Sequence, residues 1–288
     1  MILVDLNQVI LSGLLSQIQS KEKKVNILDE DLLRHLILNI LRMHVRNFRP
    51  EYGEVVLCSD NRNYWRRGVF PFYKHGRKKD RQKSDLDWHL IFDMMAKFKE
   101  ELKEYFPYKV IDVEGAEADD IIGTLAPRAV AHENVLILSS DGDFIQLQRY
   151  NTGKYKIKQY SPTQKKYVTS DDPILHLKEK IIRGDKGDGI PNIYSPSNCF
   201  AADLRQKPIS AKKVQQLIET DISNWNESLA VEGFSRNQML IDLTFIPTEI
   251  SERIVDKYEE YKPAPKMKMM NYFVKYKLKN LLDVIEEF

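Results

Sequence analysis

Only two cysteines occur, Cys58 and Cys199, far apart and outside any metal-ligand spacing. That excludes a disulfide framework and a cysteine zinc site, and fits a reducing, intracellular setting. No apolar run approaches the roughly 18 residues of a membrane helix, and Asp5 interrupts the apolar start after Val4, so neither a membrane span nor a signal peptide is expected. No internal repeat is found. An excess of charge of one sign is missing too: 44 Lys and Arg oppose 42 Asp and Glu, so bulk charge names no partner. The 42% hydrophobic content excludes a disordered chain and suffices for one large or two modest domains.

What is present is an alternation. Segments 2–6, 54–60, 109–113 and 134–140 read as short buried strands. Segments 29–48, 87–106 and 117–132 carry apolar residues at helical spacing, the last perturbed at Pro127. Strand and helix in alternation predict an α/β fold with a mostly parallel sheet flanked by helices. Beyond about residue 170, the stretch 171–189 reads as a helix running into a Gly-rich turn, and further helices are predicted near 210–221, 235–244, 248–260 and 271–286. Domain boundaries are expected at 1–170 for the α/β part and 171–288 for a smaller helical part.

Each strand delivers acid to its carboxyl end, the edge at which open α/β sheets bind ligands. Asp5 ends the first, Asp60 the second, Glu117, Asp119 and Asp120 open the helix after the third, and Asp141 and Asp143 follow the fourth. Any one of these alone is an ordinary turn former or helix cap. Together they are costly, because two like charges 4 Å apart repel by about 4 kcal/mol at an effective dielectric of 20. Oxygen-only donors favour hard cations such as Mg²⁺ or Mn²⁺, and two such ions clamp a phosphodiester. A phosphatase of the haloacid-dehalogenase type needs a second acid two residues after Asp5, where this chain has Asn7. Gly142 is expected to turn the backbone so that Asp141 and Asp143 face one phosphate.

Charge is uneven locally. Between 61 and 83 stand Arg62, Arg66, Arg67, Lys74, Arg77, Lys78, Lys79, Arg81 and Lys83, opposed only by Asp80 and interleaved with Tyr64, Trp65, Phe70, Phe72 and Tyr73. The bland reading is a solvated loop; the aromatics favour a loop that neutralises phosphates and stacks on unpaired bases. A second basic stretch, with Lys154, Lys156, Lys158 and Lys165, reads as a hairpin with lysines on its open face. In "RGDKGDGIPN", Gly184, Gly187 and Gly189 permit tight turns and close approach to a phosphate, and Asp185 and Asp188 are placed to turn toward the acids.

These motifs, in this order, resemble the 5′-nuclease (flap endonuclease) superfamily, which includes the 5′-exonuclease domains of bacterial DNA polymerase I, phage 5′-exonucleases and eukaryotic flap endonucleases. The resemblance runs nearly end to end, through "RHLILN", "VVLCSDN", "YWRR", "SSDGDFIQL", the "GDK" turn and "YFVK". It implies a PIN-like core with a basic arch at 61–86. It implies a metal-dependent 5′ to 3′ exonuclease and flap endonuclease that acts on DNA and RNA–DNA hybrids and removes RNA primers. Two Mg²⁺ ions, replaceable by Mn²⁺, are implied. The first would use Asp5, Asp60, Glu117 or Asp119, and Asp141. The second would use Asp143, Asp185 and Asp188, with Asp120 close to both. Tyr73, Lys74 and Arg77 match arch residues that act at the scissile phosphate and steer the 5′ end. Arg62, Arg66, Arg67, Lys78, Lys79, Arg81 and Lys83, with Lys186, Lys212 and Lys213 around the Gly-Asp turn and "SAKKV", would grip the backbone without reading sequence. The family's second Gly-rich hairpin is replaced here by "IPNIYSPSNCFAADLRQKPI". A monomer in the cytoplasm, the host's for a phage protein, is implied, with single-strand-binding protein and sliding clamp as partners. The C-terminal stretch reads either as a docking helix or as a last core helix. A catalytically silent DNA-binding protein on the same fold is the competing reading, disfavoured by the complete acid set. A PIN-type ribonuclease ranks last, since it lacks the arch and the helical tail.

Overall fold

Side chains that alternate between two faces build the centre of the molecule. The structure is a computed structural model describing residues 1–20, 30–82, 84 and 86–288; the side chains of 17–20, 78 and 80 lie outside that description. Strands β1 (Ile2–Asp5), β2 (Val55–Cys58), β3 (Lys109–Ile111), β4 (Val135–Leu138), β5 (Ile157–Ser161) and β6 (Lys166–Val168) form one sheet in the order β3-β2-β1-β4-β5-β6. The first five run parallel, and β6 turns back antiparallel on β5. Ile2, Val4, Val55, Leu57 and Leu136 face one apolar cluster, while Leu3, Val56, Ile111 and Ile137 face another. Burial on both faces explains why the strands read as unbroken apolar runs. Strand order reverses between β1 and β4, the point at which α/β sheets open a crevice. Asp5 ends one of these strands, and Asp141 lies just beyond the other.

Helices α1 (Leu6–Ser20) and α2 (Glu30–Tyr52) follow β1. The basic segment holds α3 (Trp65–Val69) and α4 (Gly76–Gln82), and α5 (Trp88–Tyr105) leads to β3. α6 (Ala118–Ala129) precedes β4. The helical part contains α7 (Pro173–Arg183), α8 (Ala211–Glu219), α9 (Ser228–Ile241), α10 (Thr248–Glu260), α11 (Lys266–Lys275) and α12 (Lys279–Leu282).

Several expectations need correction. The first helix of the described chain, α1, has weak amphipathic patterning and was not expected from the sequence. Asp29, the expected start of the helix at 29–48, lies outside the described residues; the observed helix spans Glu30–Tyr52 and runs through Pro50. The lysine hairpin is found, but as the continuation of the main sheet through β5. The single C-terminal helix expected at 271–286 is two helices, broken at Lys277, whose φ is 54°. Tyr272, Phe273, Leu281 and Phe288 from this stretch are all buried in the core.

The expected open basic loop is the largest correction. Phe70 and Tyr73 are core residues, packed with Leu177, Ile181 and Ile182 of α7, Val214 and Leu217 of α8, and Phe234 and Leu240 of α9. Two of the five interleaved aromatics are therefore buried against the helical part, and Tyr64 and Phe72 pack partly buried on the same cluster. Burying them stabilises this packing by roughly 2 kcal/mol or more per ring, which alternation of charge and ring in the sequence does not reveal.

Candidate metal centre

The strand ends bring Asp5, Asp60, Asp119 and Asp141 to one cleft of about 660 Å³, faced by Arg62, Tyr64, Arg67, Lys74, Arg77 and Arg81. Each carboxylate is set locally. Asp5 accepts from the Gln8 amide at 3.2 Å and from Ser139 Oγ at 2.9 Å. Asp60 accepts from the Ala118 amide at 2.8 Å and from Asn7 Nδ2 at 3.0 Å. Asp141 caps a short 3₁₀ helix, Gly142–Tyr150, by accepting from the Asp143 amide at 2.9 Å.

All these donors are neutral. Asp5, Asp60 and Asp119 form no ion pair among the described residues, and Asp141 has only the Lys180 ammonium at 3.9 Å. Burial, together with the neighbouring Asp60 and Asp141, pushes the Asp5 carboxyl up to about 7. Burial also raises Asp119 well above the usual range, with Asp141, Glu117 and Asp5 adding to it and Lys74 partly offsetting. An all-oxygen donor set with unmatched negative charge fits a hard divalent cation. Among the described residues, no three of these groups are drawn into a preformed coordination shell.

The other predicted acids are matched by protein cations. Glu117 caps α6 in a reciprocal capping box with Asp120. It also pairs with Arg66 at 2.9 Å and Lys74 at 2.5 Å, and accepts from the Tyr73 hydroxyl at 3.2 Å. Asp120 is fully buried, pairs with Arg66 at 2.8 Å and accepts from Trp65 Nε1 at 3.2 Å. Both of these expected ligands thus pair with arch cations and hold the arch onto α6. Arg66 is corrected with them. It is 2% exposed, its Nε donates to the Leu240 carbonyl, and it faces away from solvent.

Asp188 also departs from expectation. It turns from Asp143 toward the arch, pairing with Arg77 at 2.5 Å and Lys74 at 3.8 Å and accepting from the Tyr73 hydroxyl at 2.9 Å. Although burial works to raise it, Lys74 and Arg77 outweigh burial and hold its carboxyl below the usual range. Lys74 itself has a left-handed backbone, φ 56°, a conformation that non-glycine residues rarely adopt. Its amide donates to the Asp188 carbonyl at 2.7 Å. At Gly189, φ 73°, a Cβ would lie 2.8 Å from the Phe72 carbonyl. The glycine turn thus docks closely on the arch backbone at 72–75. Gly142 needs correction as well: its φ is not left-handed, and a Cβ there would meet open space, so no turn requires glycine.

Asp143 and Asp185 share a cation that sequence reasoning missed. The Lys180 ammonium pairs with Asp143, lies 3.0 Å from Asp185 and reaches Asp141 at 3.9 Å. Its position one turn before the "RGDKGDG" glycine was the available signal.

The predicted nucleic-acid residues divide. Arg62, Arg67 and Arg81 line the cleft, Arg67 lying 4.5 Å from the Tyr64 ring centre. Lys79 is exposed and pairs with Asp203 at 2.8 Å. Lys186 lines a separate groove with Arg183, Arg205 and Lys207. Lys212 is exposed, and Lys213 reaches Glu227 at 3.4 Å. Lys83 and the Lys78 side chain lie outside the described residues. No described helix is long and apolar enough to cross a membrane.

Known proteins resemble this chain in sequence and in fold. Residues 14–173 match the profile of the 5′-3′ exonuclease N-terminal resolvase-like domain, and residues 172–288 match that of T4 RNase H, C terminal. Ribonuclease H of Enterobacteria phage T4 is 35% identical over 99% of this chain and 95% of its own length. A 5′-3′ exonuclease of Buchnera aphidicola is 30% identical over 64% of this chain and 61% of that protein. Among solved structures, bacteriophage T5 flap endonuclease in a pseudo-enzyme-product complex with DNA and metal ions superposes with a TM-score of 0.59 at 17% identity, over 90% of this chain and 97% of that one. T5 5′-exonuclease with bound zinc gives 0.59 at 18%, over 91% and 98%. These two likenesses are likenesses of fold.

Proposed function

This chain belongs to the 5′-3′ exonuclease family, and from that premise we propose that it is a divalent-metal-dependent 5′ to 3′ exonuclease and flap endonuclease. The observation that carries the reading is one cleft with two walls. Asp5, Asp60, Asp119 and Asp141 form a wall of carboxylates of which only Asp141 is paired, with Lys180 at 3.9 Å, and Arg62, Arg67, Lys74, Arg77 and Arg81 form a wall of cations. A phosphodiester backbone bound with divalent cations is complementary to both walls at once.

Asp5, Asp60, Asp119 and Asp141 would hold the inner metal, and Asp143 and Asp185 the outer one. When bound, such ions supply an activated water and stabilise the leaving oxygen. Lys74 is held by Glu117 and Asp188 with its ammonium at the cleft, where it would counter negative charge developing on the phosphate. Arg77 is braced by Asp188 and would orient the same phosphate. Arg62, Arg67 and Arg81 would follow the strand leading away. Kinship with phage T4 ribonuclease H and bacterial DNA polymerase I supports DNA and RNA–DNA hybrids as substrates and primer removal during replication as the role, in the cytoplasm of a host. Mg²⁺ is the expected ion, with Mn²⁺ able to replace it. Residues 1–170 would be the nuclease core and 171–288 the helical part that supports the arch.

The test is a 5′-labelled flap and an RNA–DNA hybrid incubated with Mg²⁺ or with EDTA, for the wild type and Asp141→Asn. Cleavage is expected only with Mg²⁺ and only in the wild type. Structure-dependent binding without any cleavage would instead favour a silent DNA-binding protein. Undiminished cleavage by the variant would remove the inner metal assignment.

A further inference from the structure

Lys180 differs from every other cation near the carboxylates. Arg66 and Lys74 pair with acids that cap or brace the arch. Lys180 pairs instead with Asp143 and Asp185, neither of which pairs with an arch cation, although Asp185 Oδ1 also accepts from the Asp188 amide at 3.2 Å. It is delivered there by α7, whose Leu177 and Ile181 are buried against the arch and the helical part. The same helix end sets Asp185: the Lys180 carbonyl accepts from the Gly184 amide at 2.8 Å, and Gly184 adopts φ 71°, turning the chain into Asp185. A Cβ at Gly184 would lie 2.4 Å from the Ile190 carbonyl, so this turn admits no other residue without a shift. Ammonium and carboxylate thus come from one rigid helix–turn unit, and Asp143 comes from the 3₁₀ turn packed beside it. Burial works against the ammonium's charge, but Asp143, Asp141 and Asp185 together outweigh burial and push its pKa up.

We propose that Lys180 is a resident counter-cation of the outer carboxylates Asp143 and Asp185, which a second divalent ion must displace. The inference rests on the metal reading of the cleft given above. Its consequence is an order of filling. In the inner set, Asp5, Asp60 and Asp119 form no ion pair among the described residues, although Lys74 acts on Asp119, and Asp141 has only Lys180 at 3.9 Å, so this set loads first. The outer set carries a bound monovalent charge and loads at higher metal concentration. Lys180 is suited to this exchange. Its ammonium is a point charge on a flexible stem, without the fixed fork that locks a guanidinium to two acids. Its side chain is 19% exposed, against 2% for Arg66, so it has a route out to water that Arg66 lacks.

The experiment counts bound Mn²⁺ by electron paramagnetic resonance in the absence of nucleic acid, for the wild type, Lys180→Met and Lys180→Arg. Two classes of site are expected in the wild type, the second at least tenfold weaker. Lys180→Met should tighten the second class at least tenfold and leave the first within twofold, while Lys180→Arg should keep it weak. Circular dichroism establishes folding; if Lys180→Met does not fold, Lys180→Gln takes its place with the same expectation. An unchanged or weakened second class in the neutral variant overturns the counter-cation role while leaving the inner metal and the nuclease reading intact. No bound Mn²⁺ in any folded variant overturns the metal reading itself, and this inference with it.

Discussion

Glu117 and Asp5 are both buried, at 1% and 6% exposure, and their surroundings are opposite. Glu117 meets Arg66, Lys74 and the Tyr73 hydroxyl. Asp5 meets the Gln8 amide and the Ser139 hydroxyl, with two more carboxylates acting on it. The first environment consumes negative charge inside the protein, and the second leaves it for something from outside. Two buried acids at the same edge of the sheet therefore differ: Glu117 fastens the arch, and Asp5 pairs with no protein cation among the described residues. The difference teaches that an acid near a cleft is a metal-ligand candidate only to the extent that the fold has not already supplied its counter-ion.

The largest expected effect comes from removing the unmatched charge. Asp5→Asn should lower cleavage by at least about a thousandfold, the scale of several kcal/mol of transition-state stabilisation. The same variant tests the charge directly. Because the folded-state pKa of Asp5 is raised to about 7, its contribution to metal-free stability is fully present below the ordinary carboxylate range and is lost as pH rises through 7. Urea melts in EDTA should show the wild type losing stability between about pH 4 and pH 7, by at most roughly 1.4 kcal/mol per unit from this group. The dependence should shrink in Asp5→Asn and with saturating Mg²⁺. A slope of the opposite sign that persists in the variant would break the contrast with Glu117.

Next in size is the matched side. Arg66→Met leaves Glu117 and Asp120 buried without their guanidinium and should cost about 3–5 kcal/mol in chemical denaturation. Replacing Glu117 and Asp120 as well, by Gln and Asn, should restore part of that loss. If Arg66→Met is as stable as the wild type, the arch is not fastened as described.

The smallest effect belongs to the neighbouring residue. Arg67 is exposed, so Arg67→Ala should change stability by less than about 0.5 kcal/mol. It should still weaken DNA binding and lower the slope of log affinity against log salt by about one. Fluorescence anisotropy over a salt series measures both. Adjacent arginines with opposite phenotypes, one in folding and one in binding, would sharpen the division; matching phenotypes would erase it.

Much of this molecule was legible before its structure. The alternation of strand and helix was readable because period-two and period-3.6 apolar patterns are local, and acid at each strand end was readable because it follows within a few residues of the last apolar one. The arch was half legible. Its charge was plain in the sequence, but Phe70 and Tyr73 look the same whether they stack on a base or pack on α7. The break at Lys277 and the early helix α1 were missed because neither has a strong pattern of its own.

The sequence by itself determined that carboxylates would gather at one edge of a parallel sheet, since strand direction and chain order leave them nowhere else to go. Tertiary structure decided which of them keep their charge unmatched. Arg66, Lys74 and Arg77 reach their partners, and Lys180 reaches Asp143, across separations that no window of sequence spans. An ion pair depends on distances of a few ångströms between elements that only packing brings together. Asp120, Glu117 and Asp188 were given cations by the fold, and Asp5, Asp60 and Asp119 were not.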